Sequence, residues 1–129
     1  MHEHHAYNFA TASLLVLALA SANIFAETDS NSMAEYTTCA VYHRMLAGAY
    51  RHDGRSPALA DIEIEKMNAF IASAKNVGKQ TFGVEAVEQE FLHVWREDTQ
   101  LMESQINRNY KNIARLRMNH KQRCAALQD

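Results

Sequence analysis

Residues 84–129 read VEAVEQEFLHVWREDTQLMESQINRNYKNIARLRMNHKQRCAALQD, a stretch without Gly or Pro. Its apolar positions Val84, Val87, Phe91, Trp95, Met102, Ile106, Tyr110, Ile113, Leu116, His120, Cys124 and Leu127 recur close to the helical period. As one helix it would reach about 65 Å at roughly 1.5 Å per residue, far beyond any partner the rest of the chain can supply, so a compact domain requires a break. The polar clusters Arg96-Glu97-Asp98-Thr99 and Asn107-Arg108-Asn109 are the two candidate places. With a break, the chain is a small all-α, up-down bundle of four helices; without one, it is three helices with a long last helix. The four-helix form is the expectation.

The upstream punctuation supports it. Ser32 followed by Glu35 forms a capping box, so the first helix should start near Met33 and run to about Arg51, before the turn His52-Asp53-Gly54. Its buried stripe is read as Tyr36, Cys39, His43, Leu46 and Tyr50. Ser56 and Pro57 supply an N-cap and first-turn proline for a second helix with the stripe Leu59, Ile62, Met67, Phe70, Ile71 and Ala74 and a stop at Gly78. Thr81 is read as the cap of the third, with Glu85 and Glu88 near its positive end.

Ahead of all this lies an uncharged stretch from Ala6 to Ala26 with the apolar run Leu14 to Ala20, closing on small residues. It reads as a secretory signal, although Glu3 and three histidines, with no Lys or Arg, precede it. The apolar run falls short of the about 20 residues a spanning helix needs, so cleavage is expected, after Ala26 or after Ala22. The chain then divides into a signal, residues 1–26, and an exported domain, residues 27–129, periplasmic or secreted, with no stable membrane anchor left after cleavage. Losing Glu3 leaves thirteen Lys and Arg against fourteen Asp and Glu, a net charge of −1 that argues against nucleic acid as a partner.

Cys39 and Cys124 are the two cysteines, and an oxidising compartment joins them into one disulfide across the domain. Closing so long a loop is worth roughly 4–5 kcal/mol in the chain-entropy account. In an antiparallel first and last helix this bond would set His43 opposite His120, beside the bridge. Two imidazoles can begin a site for a transition metal or haem, but structural zinc needs more ligands, so the expectation is no cofactor, with a metal at His43 and His120 as the alternative. Glu90 and His93 share one helical face and are read as a surface pair. The layout of Met33 near the mature start and His120 near the end is similar to that of exported four-helix b-type cytochromes. In the antiparallel register set by the disulfide, however, Met33 lies past the end of the last helix, out of reach of His120.

Chemistry is sparse. Gly-x-Ser-x-Gly and Cys-x-x-Cys-His are absent, no free thiol survives the disulfide, and carboxylate pairs such as Glu63 and Glu65 are read as solvated, so an enzyme is not expected. Charge is more informative. Acids outnumber bases from Asp61 to Glu103, whereas Arg108, Lys111, Arg115, Arg117, Lys121 and Arg123 follow without one acid. A basic last helix lying against an acidic third helix accounts for most of that pattern. The remaining reading is that Arg108, Lys111, Arg115, Arg117 and Lys121 dock on an acidic protein partner, as a non-enzymatic module of the envelope-inhibitor or immunity-protein type would.

Overall fold

The computed structural model describes residues 31–54 and 56–128; the stretch read as a secretory signal and its expected cleavage sites lie outside these. The chain folds into α1 (Met33–Asp53), α2 (Pro57–Phe82), α3 (Val87–Gln105), a 3-10 turn (Tyr110–Asn112) and α4 (Ala114–Gln128). Direction alternates from helix to helix. His43 meets Glu63 and Tyr36 meets Phe70, so α2 runs antiparallel to α1. Thr38 meets Asp98 while Met33 packs near Val87, so α3 runs parallel to α1; Glu35 meets Arg123 and Tyr42 meets His120, so α4 returns antiparallel. The four-helix up-down bundle is thus the fold, with Cys39 and Cys124 bonded at a Cα separation of 5.4 Å.

Helix α1 starts where its capping box dictates: Ser32 Oγ accepts from Glu35 N–H, and Glu35 accepts from Ser32 N–H. It ends at Gly54, whose φ of 66° places it in the left-handed region. Between these points α1 is the hub. Cys39 to His43 are five consecutive buried residues, which cover every side of a helix, so α1 is enclosed rather than laid on a surface. Its small residues make this possible. Gly48 lies under Tyr110 of the 3-10 turn, where a Cβ would fall 2.5 Å from the phenol oxygen.

Helix α2 departs from its expected form in two respects. Its inward face is Ala60, Glu63, Phe70, Ala74 and Gly78, with Met67 and Ile71 packed beside it; of the expected stripe only Leu59 and Ile62 are exposed, their places taken by Ala60 and Glu63 one position on. Gly78 does not stop the helix. It is buried inside it, where a Cβ would sit 2.9 Å from a Val87 methyl, and α2 continues to Phe82 before Gly83. Thr81 therefore belongs to the last turn of α2 and does not cap α3, which begins at Val87 behind Ala86 without a side-chain cap.

The long Gly-free stretch breaks at the second of its two candidate clusters. Asn107 and Arg108 both have φ of 53°. Asn107 N–H donates to Ser104 O and Arg108 N–H to Glu103 O, the paired bonds of a Schellman ending, with Asn107 where glycine usually stands. Asn109 then caps the 3-10 turn through Lys111 N–H, and Asn112 Nδ2 donates to Ile106 O. Arg96 to Thr99 pass through the middle of α3 unbroken.

The main core gathers Cys39, Val41, Met45, Leu46, Phe70, Met102, Ile106, Leu116 and Cys124, and a smaller cluster of Met33, Ala74, Val87 and Phe91 closes the end near the start of α1. Met33 is thereby committed to that end, away from His120.

Candidate functional site

Glu63 occupies a core position of α2 because the spacing 60, 63, 67, 70, 74 runs down the face toward α1. A carboxylate there needs a partner, and His43 supplies one: its Nδ1 lies 2.5 Å from Glu63 Oε2 with both side chains buried. Glu63 therefore is not the solvated residue the sequence reading made it, whereas Glu65 is exposed. Burial lowers the His43 pKa, outweighing the pull of Glu63, so the neutral ring donates Nδ1–H to the carboxylate. The ring lies flat on Phe70 at a centroid distance of 5.4 Å. Its Nε2 is buried without a hydrogen-bond partner, and the residue contributes to the lining of a cleft between three helices.

His120 is placed differently. Its ring meets Tyr42 at 5.7 Å and feels Asp98 of α3, while burial lowers its pKa. Tyr42 touches both imidazoles, at 5.0 Å from His43 and 5.7 Å from His120, and His120 Nε2, like His43 Nε2, is buried without a hydrogen-bond partner. Asp98 is raised by its own burial, against the hydrogen bond from Thr38 Oγ1 at 2.8 Å. Among the described residues no group of three or more His, Cys, Asp or Glu is disposed to hold a metal ion. His93 pairs with Glu97 at 3.2 Å on the exposed side of α3, one turn away from the Glu90 expected to be its partner.

Above the His43–Glu63 pair a cleft of about 240 Å³ opens between α1, α2 and α4, lined by Tyr42, Tyr50, Lys66, Arg117, Lys121 and the disulfide's Cys124. Lys66 Nζ stands 3.9 Å from the second Glu63 oxygen. Arg117 lies over the Tyr50 ring, 5.8 Å from its centroid, and donates to the Tyr50 hydroxyl at 3.4 Å. Arg117 and Tyr50 also line a second hollow of about 330 Å³ with Tyr110 and Lys111, so the pair stands as a bar between two openings.

The cations of the last helix do not do what charge complementarity predicted. Among the described residues no Lys or Arg of α4 forms an ion pair with an acid of α3; Arg123 pairs with Glu35 of α1, and the α3 acids Glu88 and Glu97 are matched to Lys75 and His93. Arg108 and Lys111 are exposed at the α3–α4 connection, Arg115 is exposed and donates to Gln105 O, and Lys121 is exposed at the cleft. Met118, between Arg115 and Lys121 on the same outer ridge, is 85% exposed. Spacing in the sequence marked all five cations. It placed Tyr50 on the α1 stripe, read Glu63 as solvated and did not mark Lys66; their shared role arises only when three helices meet.

No family model, curated protein or solved structure matches this chain. Its chemistry is therefore read from its own residues.

Proposed function

We propose that this protein is an exported, periplasmic or secreted, binding module that engages an acidic protein partner through α4 and the connection leading into it. One observation carries the reading: among the described residues Arg108, Lys111, Arg115, Arg117 and Lys121 have no ion-pair partner, and Met118, which is 85% exposed, lies between Arg115 and Lys121 on the outer ridge of α4. A methionine between two exposed cations offers an adaptable apolar contact beside charges that steer acidic groups toward it. The disulfide suits an oxidising compartment, and no helix among the described residues is long and apolar enough to cross a membrane. The type of protein this describes is a small inhibitor or immunity-like cap acting by occlusion.

In-cell crosslinking of the wild-type chain and an Arg115→Glu, Met118→Glu variant tests it. The wild type should yield a discrete adduct that the variant loses, while a His43→Leu, His120→Leu variant that stays folded retains it. A partner captured equally by the wild type and the charge variant would overturn the reading. The intact mass of the recovered chain should correspond to residues 27–129 less two hydrogens; an uncut amino terminus would refute export.

A further inference from the structure

We propose that the cleft over the His43–Glu63 pair is a receptor for one carboxylate, the anchoring acidic side chain of the partner; this rests on the binding role assigned to α4. The charge balance within the cleft points this way. Glu63 is occupied from both sides, one oxygen by His43 Nδ1 at 2.5 Å and the other facing Lys66 Nζ at 3.9 Å. Its negative charge is therefore spent inside the wall, and Arg117 and Lys121, one helical turn apart on α4, line the opening without a carboxylate of their own.

Arg117 is also held ready. The Tyr50 ring under its guanidinium and the Tyr50 hydroxyl at 3.4 Å limit its rotamers before any ligand arrives, which lowers the ordering cost of binding. A planar guanidinium fixed in this way suits the two oxygens of a carboxylate, with the Lys121 ammonium as a second, more mobile charge. Size narrows the occupant. At about 240 Å³ the cleft is smaller than the about 300 Å³ at which drug-sized ligand sites begin, and it opens beside the α4 ridge where a protein partner would sit. The tip of one Asp or Glu side chain fits both constraints.

The test uses the mature, disulfide-bonded chain and an acetylated, amidated hexaglutamate peptide, with hexaglutamine and inorganic phosphate as comparisons, followed by NMR titration. Saturable shifts should appear at Tyr50, Arg117 and Lys121 with hexaglutamate and not with hexaglutamine. Arg117→Gln with Lys121→Gln should weaken that binding by about tenfold or more, and Lys66→Gln should weaken it from the opposite wall. Both variants must keep the wild-type circular dichroism, which the rim position of these head groups favours; should the double variant unfold, Lys66→Gln and the map of shifted resonances decide alone. Shifts confined to Arg115 and Met118 would overturn the cleft proposal and leave the α4 docking face standing. Phosphate binding that matches the peptide would overturn the side-chain occupant, and so would no saturable hexaglutamate binding at all. Failure of the α4 reading itself is scored separately, by the crosslinking of the Arg115→Glu, Met118→Glu variant.

Discussion

Helices α1 and α4 are bonded to each other and run antiparallel, yet they belong to the fold in opposite ways. Helix α1 buries eleven of its 21 residues and touches every other helix, whereas α4, of 15 residues, buries Leu116 and Cys124. An enclosed helix cannot carry charge on most of its turns, so α1 is written in Ala, Val, Met, Leu and Tyr, and its one exposed cation before the last turn is Arg44. A helix that contributes two core residues is free to be polar, and α4 uses that freedom for cations. What holds α4 in place is correspondingly different: a covalent bond, the buried Leu116 with the half-buried Leu127, and side-chain contacts such as Arg123 with Glu35 and His120 with Tyr42, where α1 is held by packing on all sides.

The largest expected effect breaks this comparison at its joint. Cys39→Ser with Cys124→Ser removes a loop closure worth roughly 4–5 kcal/mol, a large share of the stability of a small domain. The loss should also be uneven, because α4 buries far fewer residues than α1 to keep it docked. Urea unfolding should report the drop, and amide exchange should quicken in α4 before α1. Equal exchange in both helices would mean that the noncovalent contacts of α4 suffice to hold it without the staple.

Substitutions of one chemical kind sharpen the contrast. Leu46→Ala in α1 truncates a 5%-exposed core residue and should cost about 2–5 kcal/mol. Met118→Ala on the outer ridge of α4 should stay within about 0.5 kcal/mol, since the side chain is already in water. Denaturant midpoints at constant slope measure both. A costly Met118→Ala would show that Met118 is a structural contact and withdraw it from the docking face.

Much of this arrangement was legible along the chain, and the remainder was hidden for identifiable reasons. The start of α1 is a local hydrogen-bond pattern, so Ser32 and Glu35 announce it. The disulfide follows from two cysteines. The break after α3 was one of two polar clusters; it falls where Asn107 takes the left-handed conformation, while Asp98 of the other cluster stays helical and accepts a hydrogen bond from Thr38. Only the first two turns of the α2 face were misread, because Leu59 and Ile62 outweigh Ala60 and Glu63 on any hydrophobic count, while Met67, Phe70, Ile71 and Ala74 lie on the core as expected. Glu63 qualifies for the core only through His43, twenty residues away on another helix, and no periodicity within one helix carries that information. Likewise the cations of α4 look neutralised in a list of charges, and their freedom depends on how α4 is rotated against α3.

Acid should act on both helices, through His43 on α1 and His120 on α4. Burial lowers both pKa values below the ordinary 6.5, so as the pH falls through 6.5 the unfolded chain takes up protons that the folded one refuses. Stability should therefore fall with pH from about 6.5 until the folded values are reached. Asp98 acts in the opposite sense and in a lower window. Its raised value makes it destabilising above the ordinary 3.8, a penalty that fades as the pH drops toward that value. Urea midpoints across this range should show the fall, and His120→Leu should reduce its slope while leaving the share that belongs to His43. An unchanged slope would place the whole effect on α1.

The smallest effect expected is a gain, located where α3 hands over to α4. Arg108 holds φ at 53° immediately after Asn107 does the same, a conformation that costs a residue with a Cβ about 1–2 kcal/mol. Glycine removes that strain and in return adds backbone entropy to the unfolded chain, about 0.5–1 kcal/mol, so Arg108→Gly should stabilise the domain by a few tenths to about 1 kcal/mol. The substitution also deletes an exposed cation from the proposed docking face. Arg108→Gly should thus raise the urea midpoint while weakening partner crosslinking, moving stability and binding in opposite directions at one residue. If the midpoint rises and crosslinking is unaffected, the docking face begins at Lys111; if the midpoint falls, the Arg108 side chain contributes a contact that offsets its backbone strain.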